Sequence, residues 1–279
     1  MITAVKSTTP TLSHVIPSQG GGGVTAVTSL GDDVFVARFN SKEVEVYEAV
    51  TLTLQRRLTV PELGEWPRSG LAACPNNNCL YASDFHNDRV YRVELSGSNA
   101  LKKWSVASRP RGLSVNNEHN LIVACCGANE LQEYTIRGSP VSKIRLLQAG
   151  VIMPYQAIQL STGDYVVSQW KSPCVVSVVG VDAQVVRSYG QPQISDVGQM
   201  EYPTSVAVTK KDEILIADND NNRILLVNSS LGSIQEVALS VDGGIQGPRG
   251  LCLNESRGRF YVGEWGGDHR MLVFDDAHM

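Results

Sequence analysis

Long apolar runs are missing: no stretch approaches the roughly 20 residues a membrane helix requires, so no membrane partner is expected. Basic excess is missing too. With 24 Lys and Arg against 28 Asp and Glu, the net charge of −4 gives no chain-wide footprint for nucleic acid, which leaves only a local basic face for that role. The six cysteines, at 74, 79, 125, 126, 174 and 252, show neither C-x-x-C pairing nor the density of a disulfide scaffold. The first 23 residues are rich in Thr, Ser, Pro and Gly and lack the basic start and apolar core of a secretory signal. A reduced, cytoplasmic protein is the expectation. No Ser/His/Asp set, nucleophile elbow or phosphate-cradling loop occurs in usable context, and the Gly20–Gly23 run has no lysine or helix after it. No cofactor is expected. Helical periodicity of useful length is also absent, which leaves short apolar runs punctuated by Gly, Asn, Asp and Pro.

Those runs repeat. A proline opens successive units at Pro67, Pro110, Pro154, Pro203 and Pro248, with spacings of 43, 44, 49 and 45 residues. A small residue closes the second strand of each unit, at Ala37, Ser83, Ala124, Ser168, Ala217 and Gly263, and keeps the same register. Each unit reads as a compact first strand, a near-continuous apolar second strand, a third strand after a polar loop, and a polar fourth strand such as Leu54–Val60 or Lys143–Leu147. Second strands apolar on both sides belong between two neighbouring sheets. Four strands per unit and a period in the forties predict an all-β, six-bladed β-propeller of four-stranded antiparallel blades, with residues 1–279 forming one domain. Blades start near 23, 67, 110, 154, 203 and 248. The last unit has no room for a fourth strand, and residues 11–16 have strand composition, so the N-terminal strand is predicted to close the ring after a flexible lead over 1–10.

The stretch with Pro203-Thr204, Ile216-Ala217-Asp218 and Asn221-Asn222-Arg223-Ile224 resembles the NHL repeat, with five residue classes matching in order. Arg111-Gly112-Leu113, Ser83-Asp84 with Asp88-Arg89-Val90, and Pro248-Arg249-Gly250-Leu251 resemble further copies, whereas Arg38, Cys125 and Gln169 replace the acidic residue in the other three units. The resemblance implies a six-bladed propeller like those that end many tripartite-motif NHL proteins, where it serves recognition of proteins or RNA. No RING or B-box array of Cys and His occurs here, so any ubiquitin-ligase activity would lie outside this chain.

Antiparallel order within a blade places the loop leading into the first strand and the loop between the second and third strands on one face. The lead-in loops supply Arg68, Arg111, Tyr155 and Arg249 to that face, and the second loops supply Arg38, Phe39, Phe85, Trp170 and Trp265. Four of these aromatics share one register position, in a chain with only 6% aromatic residues. Rings and arginines together suit a binding surface; the bland alternative is that each ring caps its own inter-blade groove and each arginine bonds to neighbouring carbonyls or to Asp84, Asp218 and Glu264. A non-enzymatic recognition or scaffold domain that binds a protein partner is the leading reading. RNA on the same face is the second reading, and a small molecule at the central channel stays open. A third is a metal-dependent lactonase- or lyase-like enzyme, since related six-bladed enzymes hold a divalent ion over the channel. Its only ligand set would be Asp84, Asp218 and Glu264 with His86 and Asn219.

Overall fold

The computed structural model describes residues 10–60, 70–96, 100–190, 199–227, 233–237 and 239–275. Pro67 and Arg68, with the opening of the second blade, lie outside the described residues, as do residues 1–9 of the lead. The described strands form six four-stranded antiparallel sheets. In the first five, the strands run in sequence order from the channel outwards. The sixth combines Pro248–Asn254, Arg259–Glu264 and Met271–Asp275 with the N-terminal strand Thr11–Ile16, which pairs antiparallel to Met271–Asp275. The ring therefore closes by the N-terminal strand, as the missing fourth strand of the last repeat predicts.

Burial explains the sequence pattern. The second strands, such as Leu121–Cys125 and Ile214–Asp218, are buried along their whole length. Their side chains alternate between two neighbours, and six separate apolar clusters result, one at each blade-to-blade interface. Phe35 and Ala37 of the first blade meet Leu80 and Tyr91 of the second, while Val34 and Val36 on the opposite face meet Tyr261 and Val273 of the sixth. Fourth strands such as Leu54–Thr59 are largely exposed, and their mixed composition follows from having only one covered side. One boundary differs from the sequence reading. The fourth strand of the third blade is Pro140–Arg145, and Leu146–Ala149 forms a 3-10 turn that buries Leu146 and ends on Gly150 at φ 74°.

First strands converge around the axis, and there glycine is required. A Cβ on Gly112 would stand 2.6 Å from the Tyr155 carbonyl oxygen, and one on Gly70 would stand 2.2 Å from that of Arg111. Close approach also lets blades bond to each other: the Ser83 hydroxyl donates to the Arg111 carbonyl at 2.6 Å and that of Ser168 to the Thr204 carbonyl at 2.7 Å. The small residues that mark the repeat are thus inter-blade contacts.

Candidate functional site

The residue after each opening proline sits at the rim of the central channel. Arg111, Tyr155, Thr204 and Arg249 occupy that position, and Thr25 is its counterpart in the first blade. All five are buried. The two threonines are spent on the frame, with Thr25 donating to the Ala37 carbonyl and Thr204 to that of Pro248. The three large side chains turn towards one another. Both guanidiniums lie over the Tyr155 ring, with the Arg111 carbon 4.7 Å and the Arg249 carbon 5.6 Å from its centroid. Arg249 Nε donates to the Tyr155 hydroxyl at 2.6 Å.

Around this centre the aromatic residues of the second loops close in. Arg111 is boxed by three rings, with Phe85 and Trp170 each centred 4.8 Å from its guanidinium carbon besides Tyr155. Arg249 stacks on Trp265 at 4.0 Å, and Trp265 meets Phe39 edge-on at 5.0 Å. Tyr202 meets Trp170 at 5.5 Å and Tyr155 at 6.3 Å. One connected array thus draws on all six blades, from Phe39 in the first to Trp265 in the sixth. Its outer rings, Phe39, Phe85, Trp170, Tyr202 and Trp265, are half-buried, and the arginines lie beneath them.

The electrostatics are unusual for a buried site. Arg111 is 2% exposed, and its Nε, Nη1 and Nη2 have no hydrogen-bond partner among the described residues. Desolvating a guanidinium costs several kcal/mol, and three cation–π contacts at about 2 kcal/mol each offset an amount of that size but give its N–H donors no acceptor. Burial alone would push the Tyr155 phenol up. The Arg249 and Arg111 guanidiniums outweigh it and hold the phenol below the usual tyrosine range. Arg111 acts on it through space, since none of its nitrogens meets hydrogen-bond geometry. The Cys126 thiol is pushed up by burial, against the opposing pull of Arg111. Beneath the arginines the channel holds a small cavity of about 30 Å³, bordered by Arg111, Tyr155, Arg249, Thr25 and Ser205.

The rim carboxylates serve a different purpose. The Asp218 carboxylate accepts from the Glu201 backbone N–H at 2.7 Å, Asn221 Nδ2 at 2.8 Å and Arg223 Nε at 2.8 Å. Glu264 accepts from the Gln246 backbone N–H at 2.9 Å and from Arg270 Nε at 2.6 Å. Gln169, their neutral counterpart, accepts from the Ile152 backbone N–H at 3.0 Å. In each case the donor lies two residues before the opening proline, so all three side chains clamp the lead-in loop of their own blade. The Asp84 carboxylate accepts from the backbone N–H groups of His86 and Asn87. Among the described residues, no three His, Cys, Asp or Glu side chains are grouped as metal ligands.

Of the predicted site residues, Phe39, Phe85, Arg111, Tyr155, Trp170, Arg249 and Trp265 come together. Arg38 does not join them. It donates to Glu45 at 2.8 Å and to the His269 carbonyl at 2.8 Å, and borders a separate cleft with Gly22 and Phe39. Tyr202 is the member that sequence reasoning overlooked. It precedes Pro203 with φ 58°, a left-handed conformation shared by Arg109, Met153 and Gly247 before the other opening prolines. The repeated x-Pro step was the available signal.

Comparison with known proteins supports the architecture. The NHL repeat profile matches residues 200–225. No curated protein matches the chain in sequence. Among solved structures, a hydrazine synthase chain of Kuenenia stuttgartiensis superposes with TM-score 0.67 at 13% identity, covering 92% of this chain and 97% of that one. Virginiamycin B lyase of Staphylococcus aureus superposes with TM-score 0.66 at 9% identity, covering 94% and 98%. A protein of unknown function from Bacteroides caccae gives TM-score 0.68 at 16% identity, covering 87% and 89%. At such identities the likeness is one of fold. The chain carries an NHL repeat within a six-bladed β-propeller.

Proposed function

We propose that this propeller is a non-enzymatic recognition domain that docks a protein partner on the face bearing the arginine and aromatic array. The observation that carries the reading is convergence: five half-buried rings from five blades surround two buried arginines at one channel mouth. Aromatic and Arg side chains with low rotamer entropy on a rigid frame are the residues that dominate protein interfaces. The frame here is rigid because each ring stands at the end of a strand buried between two blades. Carboxylates that could have served a metal-dependent reaction are engaged by their own loops, which favours recognition over catalysis.

The test is comparative binding. A partner isolated with the intact propeller should lose at least tenfold in affinity when Phe85 or Trp265 is changed to alanine. It should be indifferent to Val186→Ala on the exposed fourth strand of the fourth blade. Equal binding by all three variants would remove the reading. Capture of RNA with an affinity that falls steeply as salt rises would replace it with the nucleic-acid alternative.

A further inference from the structure

A recognition face explains the rings but not the arginines beneath them. Arg111 and Arg249 are 2% and 4% exposed, and neither takes part in an ion pair among the described residues. Asp218 and Glu264 are already paired with Arg223 and Arg270. Arg249 spends its Nε on the Tyr155 hydroxyl, and all three side-chain nitrogens of Arg111 lack a protein acceptor among the described residues. Two guanidiniums therefore share one phenol ring, at 4.7 and 5.6 Å from its centre, with no carboxylate paired to either among the described residues. Ring faces soften such charge without neutralising it.

Room for a counter-charge exists at this point. The cavity of about 30 Å³ is bordered by both arginines, with Tyr155, Thr25 and Ser205 in its wall. That volume accepts one small polyatomic ion or a pair of waters. A planar group with two oxygens matches the guanidinium fork, and a guanidinium boxed by rings in a dry site favours it over a fully hydrated ion.

From this geometry we infer that the channel mouth is a carboxylate receptor, in which one carboxylate-sized monoanion sits in the cavity against Arg111 and is shared with Arg249. The acid comes either from a free small molecule or from a docked partner's side chain or C-terminus. For the second source alone the inference rests on the recognition reading. Phe85 and Trp170 flank the guanidinium at the rim, so loading shifts the Trp170 ring and its emission reports the event.

The experiment titrates the full chain with sodium formate, at constant ionic strength held by a bulky sulfonate salt, and follows tryptophan emission and thermal midpoint. A saturable emission change with a rise in midpoint is expected. Trp170→Phe should lose most of the emission change and keep the rise. Arg111→Lys retains the charge and a foldable site, and should weaken formate at least tenfold because the fork is gone. Chloride should bind at least tenfold more weakly than formate. No saturable response in the unmodified protein would overturn the receptor and leave water as the group that meets Arg111. Chloride binding equal to formate, or unchanged formate affinity in Arg111→Lys, would overturn recognition by the fork. Formate that saturates and displaces a docked partner supports the receptor and assigns the acid to that partner. Saturation that leaves partner binding unchanged supports the receptor with a free small acid as its ligand.

Discussion

Changing Asp218 to alanine is the most direct way to separate a structural carboxylate from a metal ligand at this rim. The side chain is fully buried and accepts three hydrogen bonds, two from neutral donors and one from Arg223. All three bonds end on a carboxylate, each one from a neutral donor being worth about 1.5 kcal/mol and the one from the guanidinium about 2 kcal/mol. Arg223 and Asn221 both keep the Gln199 carbonyl as an alternative partner, which returns part of that sum. A net loss of about 3 kcal/mol follows, and with a sensitivity of about 2–4 °C per kcal/mol the thermal midpoint should fall by about 6–12 °C. Asp218→Asn keeps an acceptor for the Glu201 N–H, in the way Gln169 serves the fourth blade, and should lose only about 1 kcal/mol. Urea midpoints for the three proteins, with and without a chelator, make the measurement. Loss of less than about 0.5 kcal/mol in the alanine variant would refute the clamp, since that is the range of an uninvolved surface site. A chelator that destabilises the unmodified protein while leaving Asp218→Ala unaffected would show a metal ligand instead.

Ring closure predicts that Ile16→Ala, at a side chain 7% exposed against Val24 and Val273, costs about 2–3 kcal/mol in urea unfolding. Val15→Ala on the exposed side of the same strand should stay within about 0.5 kcal/mol, and equal effects would contradict closure by this strand. Titration of phenolate absorbance should show Tyr155 ionising before Tyr47, Tyr81, Tyr134, Tyr165 and Tyr261, in a phase lost in Tyr155→Phe. Between its depressed pKa and the usual 10.0 the unfolded chain holds the extra proton, so this group adds stability as pH rises through that window. Tyr47 and Tyr134 act in the opposite sense. Burial, joined at Tyr47 by Glu45 and at Tyr134 by Cys125, pushes both to about 12, so the folded state keeps protons that the unfolded chain releases from pH 10.0 upwards. Stability should therefore fall between those values, and Tyr47→Phe should flatten the fall measured by urea midpoints in alkaline buffers.

The fold was legible because a propeller writes its packing into each repeat. Second strands face a neighbouring blade on both sides, so runs such as Leu121–Ala124 are apolar without alternation. In the second and fourth blades the closing Ser83 and Ser168 donate to the carbonyls of Arg111 and Thr204, each the residue after the next blade's opening proline, which ties the two landmarks together across the interface. Fourth strands carry a weaker signal. With five of six residues of Pro140–Arg145 exposed beside one buried Ile144, the apolar Leu146-Leu147 pair looks more strand-like than the strand itself. Only the chain's turn into a 3-10 segment separates the two.

At the site, register placed the rings correctly because Phe39, Phe85, Trp170 and Trp265 follow the last residue of the second strand in their blades. What composition could not show is which arginines have their charge answered. Arg223 opens the third strand of its blade and Arg270 immediately precedes the third strand of its own, and they pair with Asp218 and Glu264 of the same blades. The first blade inverts that pair: Arg38 takes the acidic position and Glu45 supplies the opposite charge, so a residue that reads as a surface cation becomes part of the frame. Arg249 has no such partner because Glu264 of its own blade is taken by the loop it clamps and by Arg270, and Arg111 has none because Cys125 stands where its blade would carry the carboxylate. Arg111 and Arg249 are therefore a local surplus of positive charge inside a chain whose net charge is −4. The surplus follows from where each arginine falls in the repeat, and the net charge hides it.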